Sequence, residues 1–185
     1  MDRKEILRYL RTSSEIRDER TLGLVDWAAE KIINTAKPKS LYRIYDISVS
    51  TDGVNIGGTE FKSARLAENM AGCKRAVVFG ATLGLGVDRL IKTALATDTA
   101  RAMALSAAAN VYIEEVCDSL EEELKAEHGV KLRRRYSPGY FDLDITQQKQ
   151  LFGLIDLTKR IGITLTDSCQ MVPSKSVTAF IGIED

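Results

Sequence analysis

Residues 98–127 place Leu105, Ala109, Tyr112, Val116, Leu120 and Leu124 at helical spacing, with Asp98 ahead of them and Gly129 just past them. Apolar residues recurring every three or four positions form one stripe along a helix, and a glycine is where such a helix commonly stops. The rest of the chain must fold so that this long stripe is covered. A second strip, Met103, Ala107, Asn110, Glu114 and Cys117, falls on the side opposite the first and is weakly polar.

Around that helix the signals alternate between strand and helix without a regular βαβ rhythm. Residues 3–35 read as helix, interrupted near Thr12-Ser13-Ser14, with Leu22, Val25, Ala29, Ile32 and Ile33 on one face and Lys37-Pro38 ending it. Residues 41–48 alternate as a strand and return through Thr51-Asp52-Gly53 into Val54-Asn55-Ile56, a hairpin. Ser63 can cap a short helix reaching Met70, residues 76–79 form a buried strand, and another helix begins near Val87. Residues 131–136 read as a strand broken by Pro138-Gly139. Asp144 and Gln147 suggest a capping box for a helix over 145–159, with Leu151, Leu154 and Ile155 inward. Residues 163–166 and 176–183 supply the last strands. This mixture predicts an α+β fold, organised as a helical segment over 1–36 and an α+β domain over 37–185 that together form one unit.

Composition narrows the function classes. The 26 basic and 26 acidic residues cancel, so no net field draws the chain to nucleic acid or anionic lipid. No apolar run reaches the roughly 18 residues of a membrane span. The start, MDRKEILRYLR, has no apolar signal segment, which predicts a cytoplasmic protein. Cys73, Cys117 and Cys169 are widely spaced and form no CxxC pair, and His128 is the sole histidine. Buried free thiols are expected, and neither a zinc site nor a Ser-His-Asp triad can be assembled.

The loudest generic motif is Gly80-Ala81-Thr82-Leu83-Gly84-Leu85-Gly86, between a strand and a helix. Such a turn suits a dinucleotide pyrophosphate, and NAD(P)-dependent short-chain oxidoreductase is the rival reading it supports. Against it, about 80 residues precede the loop, no Tyr-x-x-x-Lys pair follows, and the remaining chain is too short to complete a doubly wound sheet. The loop is therefore read as tight strand-to-helix packing.

The second constellation is Arg133-Arg134-Arg135-Tyr136-Ser137-Pro138-Gly139-Tyr140. On a strand Arg133 and Arg135 share one face and Arg134 takes the other. A guanidinium fork, a glycine-opened main chain and an aromatic ring within a few residues suit a small ligand with a carboxylate and a planar base.

Arg135-x-x-x-Gly139-Tyr140 resembles the RxxxGY signature of the activation domain of cobalamin-dependent methionine synthase. Residues 161–168 resemble that family's next segment, and Ser168-Cys169-Gln170-Met171-Val172-Pro173-Ser174-Lys175-Ser176-Val177-Thr178-Ala179-Phe180 follows its S-x-x-M-x-P-x-x-S-V pattern. The segments keep the family's order over about fifty residues. The resemblance implies a curved antiparallel sheet with packed helices, and a chain that binds S-adenosylmethionine. The family restores an oxidised cobalamin with one electron, from flavodoxin or a similar donor, and a methyl group from S-adenosylmethionine. By carry-over, Arg135 holds the ligand carboxylate, the main chain at Ser137 contacts adenine, Gly139 permits close approach, and Tyr140 lines the pocket toward the corrin. Glu114 is the match for a ligand-contacting glutamate on the long helix, while Met171 and Pro173 are expected on the corrin-facing rim beside Tyr140.

The family's N-terminal aspartate contact and its tyrosine-bearing closing segment find no match, and the cobalt-ligand motif Asp-x-His-x-x-Gly cannot be made around His128. Cobalamin is therefore expected only through a partner. The resemblance implies a reactivation subunit, not an independent enzyme, acting in trans on a cobalamin-dependent methionine synthase that lacks this domain; a module serving another corrinoid protein is the remaining alternative.

Overall fold

In the computed structural model, which describes residues 1–12 and 18–184, the long helix is α5 (Thr99–His128). The Asp98 side chain accepts the Arg101 N–H at 3.0 Å, satisfying one free donor of the first turn. Gly129 adopts a left-handed φ of 63° and returns its N–H to the Lys125 carbonyl, closing the last turn. Before α5 come α1 (Arg3–Tyr9), α2 (Glu19–Thr35) and α4 (Leu85–Leu95), and all three pack on it. Ser13 and Ser14, where the sequence suggested a break between the first helices, lie outside the described residues.

This packing corrects the expected polar strip. Ala107 and Cys117 are buried, Asn110 and Glu114 are half-buried, and only Met103 is exposed. Helices flank α5 on one side and the sheet meets it on another, so its buried arc is wider than one stripe.

The strands are β1 (Lys39–Val49), β2 (Gly53–Ile56), β3 (Thr59–Lys62), β4 (Arg75–Thr82), β5 (Lys131–Leu132), β6 (Thr164–Leu165), β7 (Met171–Val172) and β8 (Ser176–Glu184). Six of them form a sheet ordered β3-β2-β1-β4-β8-β5, and every neighbouring pair is antiparallel. β6 and β7 make a separate small hairpin. The fold is α+β, as the sequence predicts.

Alternation along β4 and β8 divides the core. Val77, Phe79, Ala81, Ala179, Ile181 and Ile183 point into the layer of α1, α2, α4 and α5. Ala76, Val78 and Phe180 point the other way, toward α3 (Ala64–Asn69), α6 (Gln148–Leu154) and α7 (Leu157–Ile161). Apolar residues are needed on both faces of the central strands because both faces are covered.

The structure differs from the sequence reading in two further places. The strand expected over 131–136 pairs only at Lys131 and Leu132, with one isolated bridge at Tyr136. Between them Arg133 still donates its backbone N–H to the Gly182 carbonyl at 2.8 Å, and the Arg135 side chain reaches across to α5. The helix expected over 145–159 is a 3-10 turn at Ile145–Gln147 followed by α6 and α7. Ile155 is extended, and Asp156 caps α7 by accepting the Lys159 N–H at 3.1 Å. Nor does the capping box form: Asp144 accepts the Thr146 N–H at 2.8 Å, and the Gln147 amide bonds the backbone of Lys62 at 2.7 and 2.9 Å.

The glycine-rich loop is explained by packing. A side chain at Gly80 would stand 2.6 Å from Leu157, where α7 presses on the sheet. Gly84 takes a φ of 83° at the start of α4. Since β4 is flanked by antiparallel neighbours, the loop does not stand in the parallel frame that a dinucleotide-binding turn requires.

Candidate functional site

The open edge of β8 creates the site. Phe180 exchanges backbone hydrogen bonds with Tyr136, both at 2.9 Å, and Gly182 accepts from Arg133 at 2.8 Å. Among the described residues, no strand pairs with β8 on that side before Phe180. In an antiparallel strand alternate residues point their N–H and C=O to the same edge, so Thr178 presents both toward this gap. The gap is a cleft of about 980 Å³. Its walls come from α3, α5, the segment 134–141, the start of α6 and the β7–β8 region.

The segment 136–144 is held by short-range bonds and one distant anchor. Gly139 donates to the Leu143 carbonyl at 2.7 Å, Tyr140 to Ser137 at 3.2 Å, and Leu143 to Tyr140 at 3.1 Å. Gly139 has a φ of 93°, and an added Cβ would stand 3.2 Å from Ile145. The backbone there requires glycine. The anchor is Asp142, which accepts from the Ser63 hydroxyl, from the Arg65 N–H at 3.2 Å and from the Tyr136 hydroxyl at 3.4 Å. The Ser63 hydrogen bond is the leading cause that holds the Asp142 carboxyl below its ordinary 3.8.

Arg135 faces α5. Its Nη1 is 2.7 Å from Asp118 and 2.6 Å from Glu121, and its Nη2 is 3.0 Å from Glu114. Burial works against its charge, but the Asp118 hydrogen bond and the Glu121 charge outweigh it and hold the guanidinium above its ordinary range. These residues are spaced along one helix face, so a single arginine meets all three. Within this cluster one cation meets three carboxylates, while Arg65 and Arg134 also line the cleft. The cluster does not present Arg135 as a vacant carboxylate receptor, which modifies the role drawn from sequence: a ligand carboxylate must compete with the resident acids. Behind the wall, burial pushes the Cys117 thiol up to about 12, and all three cysteines are buried and free.

The cleft brings together Glu114, Arg135, Ser137, Tyr140 and Met171, and Gly139 shapes the turn between Ser137 and Tyr140. Tyr140 and Phe141 are 63% and 86% exposed at the rim, and Phe141 stacks on Tyr136 with ring centroids 6.1 Å apart. Met171 is half-buried against the core face that holds α3, α6 and α7. Pro173 departs from expectation: it is buried, its carbonyl accepting from the Ser176 hydroxyl at 2.7 Å, and the exposed neighbour is Val172. The connection is pinned to α5 by Lys175, whose Nζ reaches Ser106 at 3.0 Å and Asn110 at 2.7 Å.

Several residues of the site carried no warning in the sequence. Asp118 and Glu121 lie outside the signature segments, and Arg65, Glu68, Asn69 and Gln148 belong to segments with no ligand motif. Tyr9 on α1 lies close to the same wall: burial first, and then the charge of Glu114, raise its hydroxyl above the ordinary 10.0, with Tyr140 adding to the effect. Only the helical spacing of Glu114, Asp118 and Glu121 could have flagged a shared face.

Residues 66–185 match the sequence profile of the family described as vitamin B12 dependent methionine synthase, activation domain. Among solved structures, the chain is similar to the crystal structure of the MetH reactivation domain bound to AdoHcy, with a TM-score of 0.68 and 18% identity. That match covers 95% of this chain and 68% of the other. No curated protein matches. Among the described residues, no helix is long and apolar enough to cross a membrane.

Proposed function

The chain belongs to the activation-domain family of vitamin B12 dependent methionine synthase, and from that premise we propose that its cleft binds S-adenosylmethionine and presents the methyl sulfonium to cobalamin held by a methionine synthase in trans. The observation that carries this reading is the acidic cluster of Glu114, Asp118 and Glu121 around Arg135, in a cleft of about 980 Å³ that is large enough for a nucleoside-sized ligand.

S-adenosylmethionine carries a sulfonium and an ammonium beside one carboxylate. The acidic wall favours the two cations, and Arg135 takes the carboxylate by exchanging a resident acid. Asp118, 64% exposed, is the acid most easily released, whereas Glu121, at 18%, stays to orient the guanidinium. The base lies along the main chain at Ser137, where the Gly139 turn admits it. A cationic sulfonium held against carboxylates also distinguishes the methyl donor from its neutral thioether product, so product leaves more readily than substrate.

Cobalamin, when docked, supplies the nucleophile that takes the methyl group. Everything else asked of this chain is binding, orientation and exclusion of water at the sulfonium, with the reacting atoms brought to roughly 3–3.5 Å. The exposed rings of Tyr140 and Phe141, with Met171 and Val172 across the cleft, form the rim that meets the corrin-bearing partner. Flavodoxin or an equivalent donor supplies the electron, and the system operates in the cytoplasm.

Calorimetry with S-adenosylmethionine tests the reading, followed by an assay combining this protein, a synthase lacking its activation domain and holding cob(II)alamin, S-adenosylmethionine and a reductant. Saturable binding and methylcobalamin formation dependent on this chain are expected. Equal rates when the chain is omitted would overturn the role.

A further inference from the structure

The sheet also opens at β1, away from the cleft. β1 pairs with β4 along Lys39–Asp46, but with β2 only over Ile47–Val49. Ile47 donates its N–H to the Lys74 carbonyl across from it, so the odd-numbered residues of β1 are the ones bonded toward β4. The even-numbered residues turn their N–H and C=O groups the other way. At Asp46 that side is in use, its carbonyl accepting from Gly57 at 3.2 Å. For Ser40, Tyr42 and Ile44 no backbone partner stands there among the described residues. A row of unpaired main-chain groups is a template for another strand.

The two sides of this edge differ in chemistry. Leu41 and Tyr45 pack on the core face that holds α7, and by alternation Lys39 and Arg43 share that side. Arg43 and Arg160 of α7 line a pocket of about 340 Å³ with Leu41 and Asp156. Both arginines are exposed, and among the described residues neither guanidinium has a hydrogen-bond or ion-pair partner. Asp156 is occupied in capping α7. On the other side Tyr42 and Ile44 are half-buried against the helical layer, and the Tyr42 hydroxyl donates to Glu127 at 3.0 Å. Charges along an edge commonly repel strands. Here the cations gather on one side and apolar surface on the other, a pattern that selects a strand.

We propose that the free edge of β1 pairs with an extended segment of a partner polypeptide in which acidic and apolar side chains alternate. Ser40, Tyr42 and Ile44 supply the main-chain hydrogen bonds. Arg43 and Arg160 take the acids, which Glu127 disfavours on the opposite side, and the apolar residues cover Tyr42 and Ile44. None of these residues lines the cleft, so the inference is independent of the ligand assigned there.

The probe is a short capped peptide alternating glutamate and valine, titrated into the whole chain and followed by amide exchange. In the free protein the amides of Ser40, Tyr42 and Ile44 are expected to exchange quickly, while β4 protects those of Leu41, Arg43 and Tyr45. Peptide is expected to protect the first three. A counterpart methylated at every backbone nitrogen, and one with lysine in place of glutamate, are each expected to bind about tenfold weaker or less. Arg43→Glu combined with Arg160→Glu is expected to reverse the preference between the glutamate and lysine peptides, with an unchanged thermal melt. No saturable binding at millimolar peptide overturns the proposal, and so does equal binding of the glutamate and lysine peptides by wild type. Slow exchange at Ser40, Tyr42 and Ile44 in the free monomer would show the edge already covered by this chain. If that protection instead rises with protein concentration alongside a dimer in sedimentation, a second copy is the occupant and the assigned partner is wrong. Should the double variant fail to fold, the comparison of peptides on wild type still decides.

Discussion

Arg135 and Glu121 stand 2.6 Å apart with side chains only 22% and 18% exposed, so the arginine of the family signature is a structural cation before it meets any ligand. Removing it leaves acids facing one another without a counter-charge. Arg135→Ala is therefore expected to lower unfolding stability by about 2–3 kcal/mol in urea denaturation, as well as weakening S-adenosylmethionine binding. Asp118→Asn, at a far more exposed acid, is expected to cost under about 1 kcal/mol. An Arg135→Ala protein as stable as wild type would contradict the wall.

Gly139→Ala tests the backbone of the turn. With φ at 93° and Ile145 in the way of a Cβ, alanine is strained in conformation and crowded in space. A loss of about 1–2 kcal/mol is expected, together with weaker ligand binding. A thermal melt unchanged from wild type would show that the turn can adopt another path.

Phe141 predicts the opposite sign. It has a left-handed φ of 50° although it carries a side chain, and it is 86% exposed. Phe141→Gly relieves that strain and is expected to raise stability by up to about 1 kcal/mol. The same change removes an aromatic ring from the partner-facing rim, so methylcobalamin formation is expected to slow while S-adenosylmethionine affinity is kept. A variant both less stable and fully active would refute both halves.

Acid should loosen the cleft through Asp142. Its folded carboxyl is held below 3.8, chiefly by the Ser63 hydroxyl, so the native state binds fewer protons than the unfolded chain. The contribution is therefore present above the unfolded value and is lost as pH falls through the folded one. Amide exchange in residues 137–144 is expected to lose protection in that acidic window, and Asp142→Asn to lose it at neutral pH as well. Protection independent of pH in the wild type would remove Asp142 as the anchor.

Elements whose signals are local were legible in the sequence. Asp98, the apolar stripe and Gly129 defined α5 to within a residue or so, because capping and periodicity are read from neighbours in the chain. Arg135 and Gly139 marked the ligand turn in the same way: a φ of 93° at Gly139 is a property that residue type alone must meet. The antiparallel character of the sheet followed from the absence of βαβ alternation and from the resemblance.

What surrounds Arg135 could not be read that way. Whether Glu121 is a solvated acid or half of a buried pair depends on where residue 135 lies relative to α5, and the sheet order decides that. The same holds for Pro173, buried with its carbonyl bonded to the Ser176 hydroxyl, and for the break at Ile155-Asp156, where α7 presses on Gly80. Gln148 is the clearest case. Its sequence neighbours give an amphipathic helix start, and only the packing of α3 and α6 beside the open edge of β8 leaves its carbonyl buried without a donor. Local chemistry determined the helices and the turn, whereas burial and pairing depend on contacts between segments far apart in the chain. The charge of the site was therefore decided by the tertiary structure.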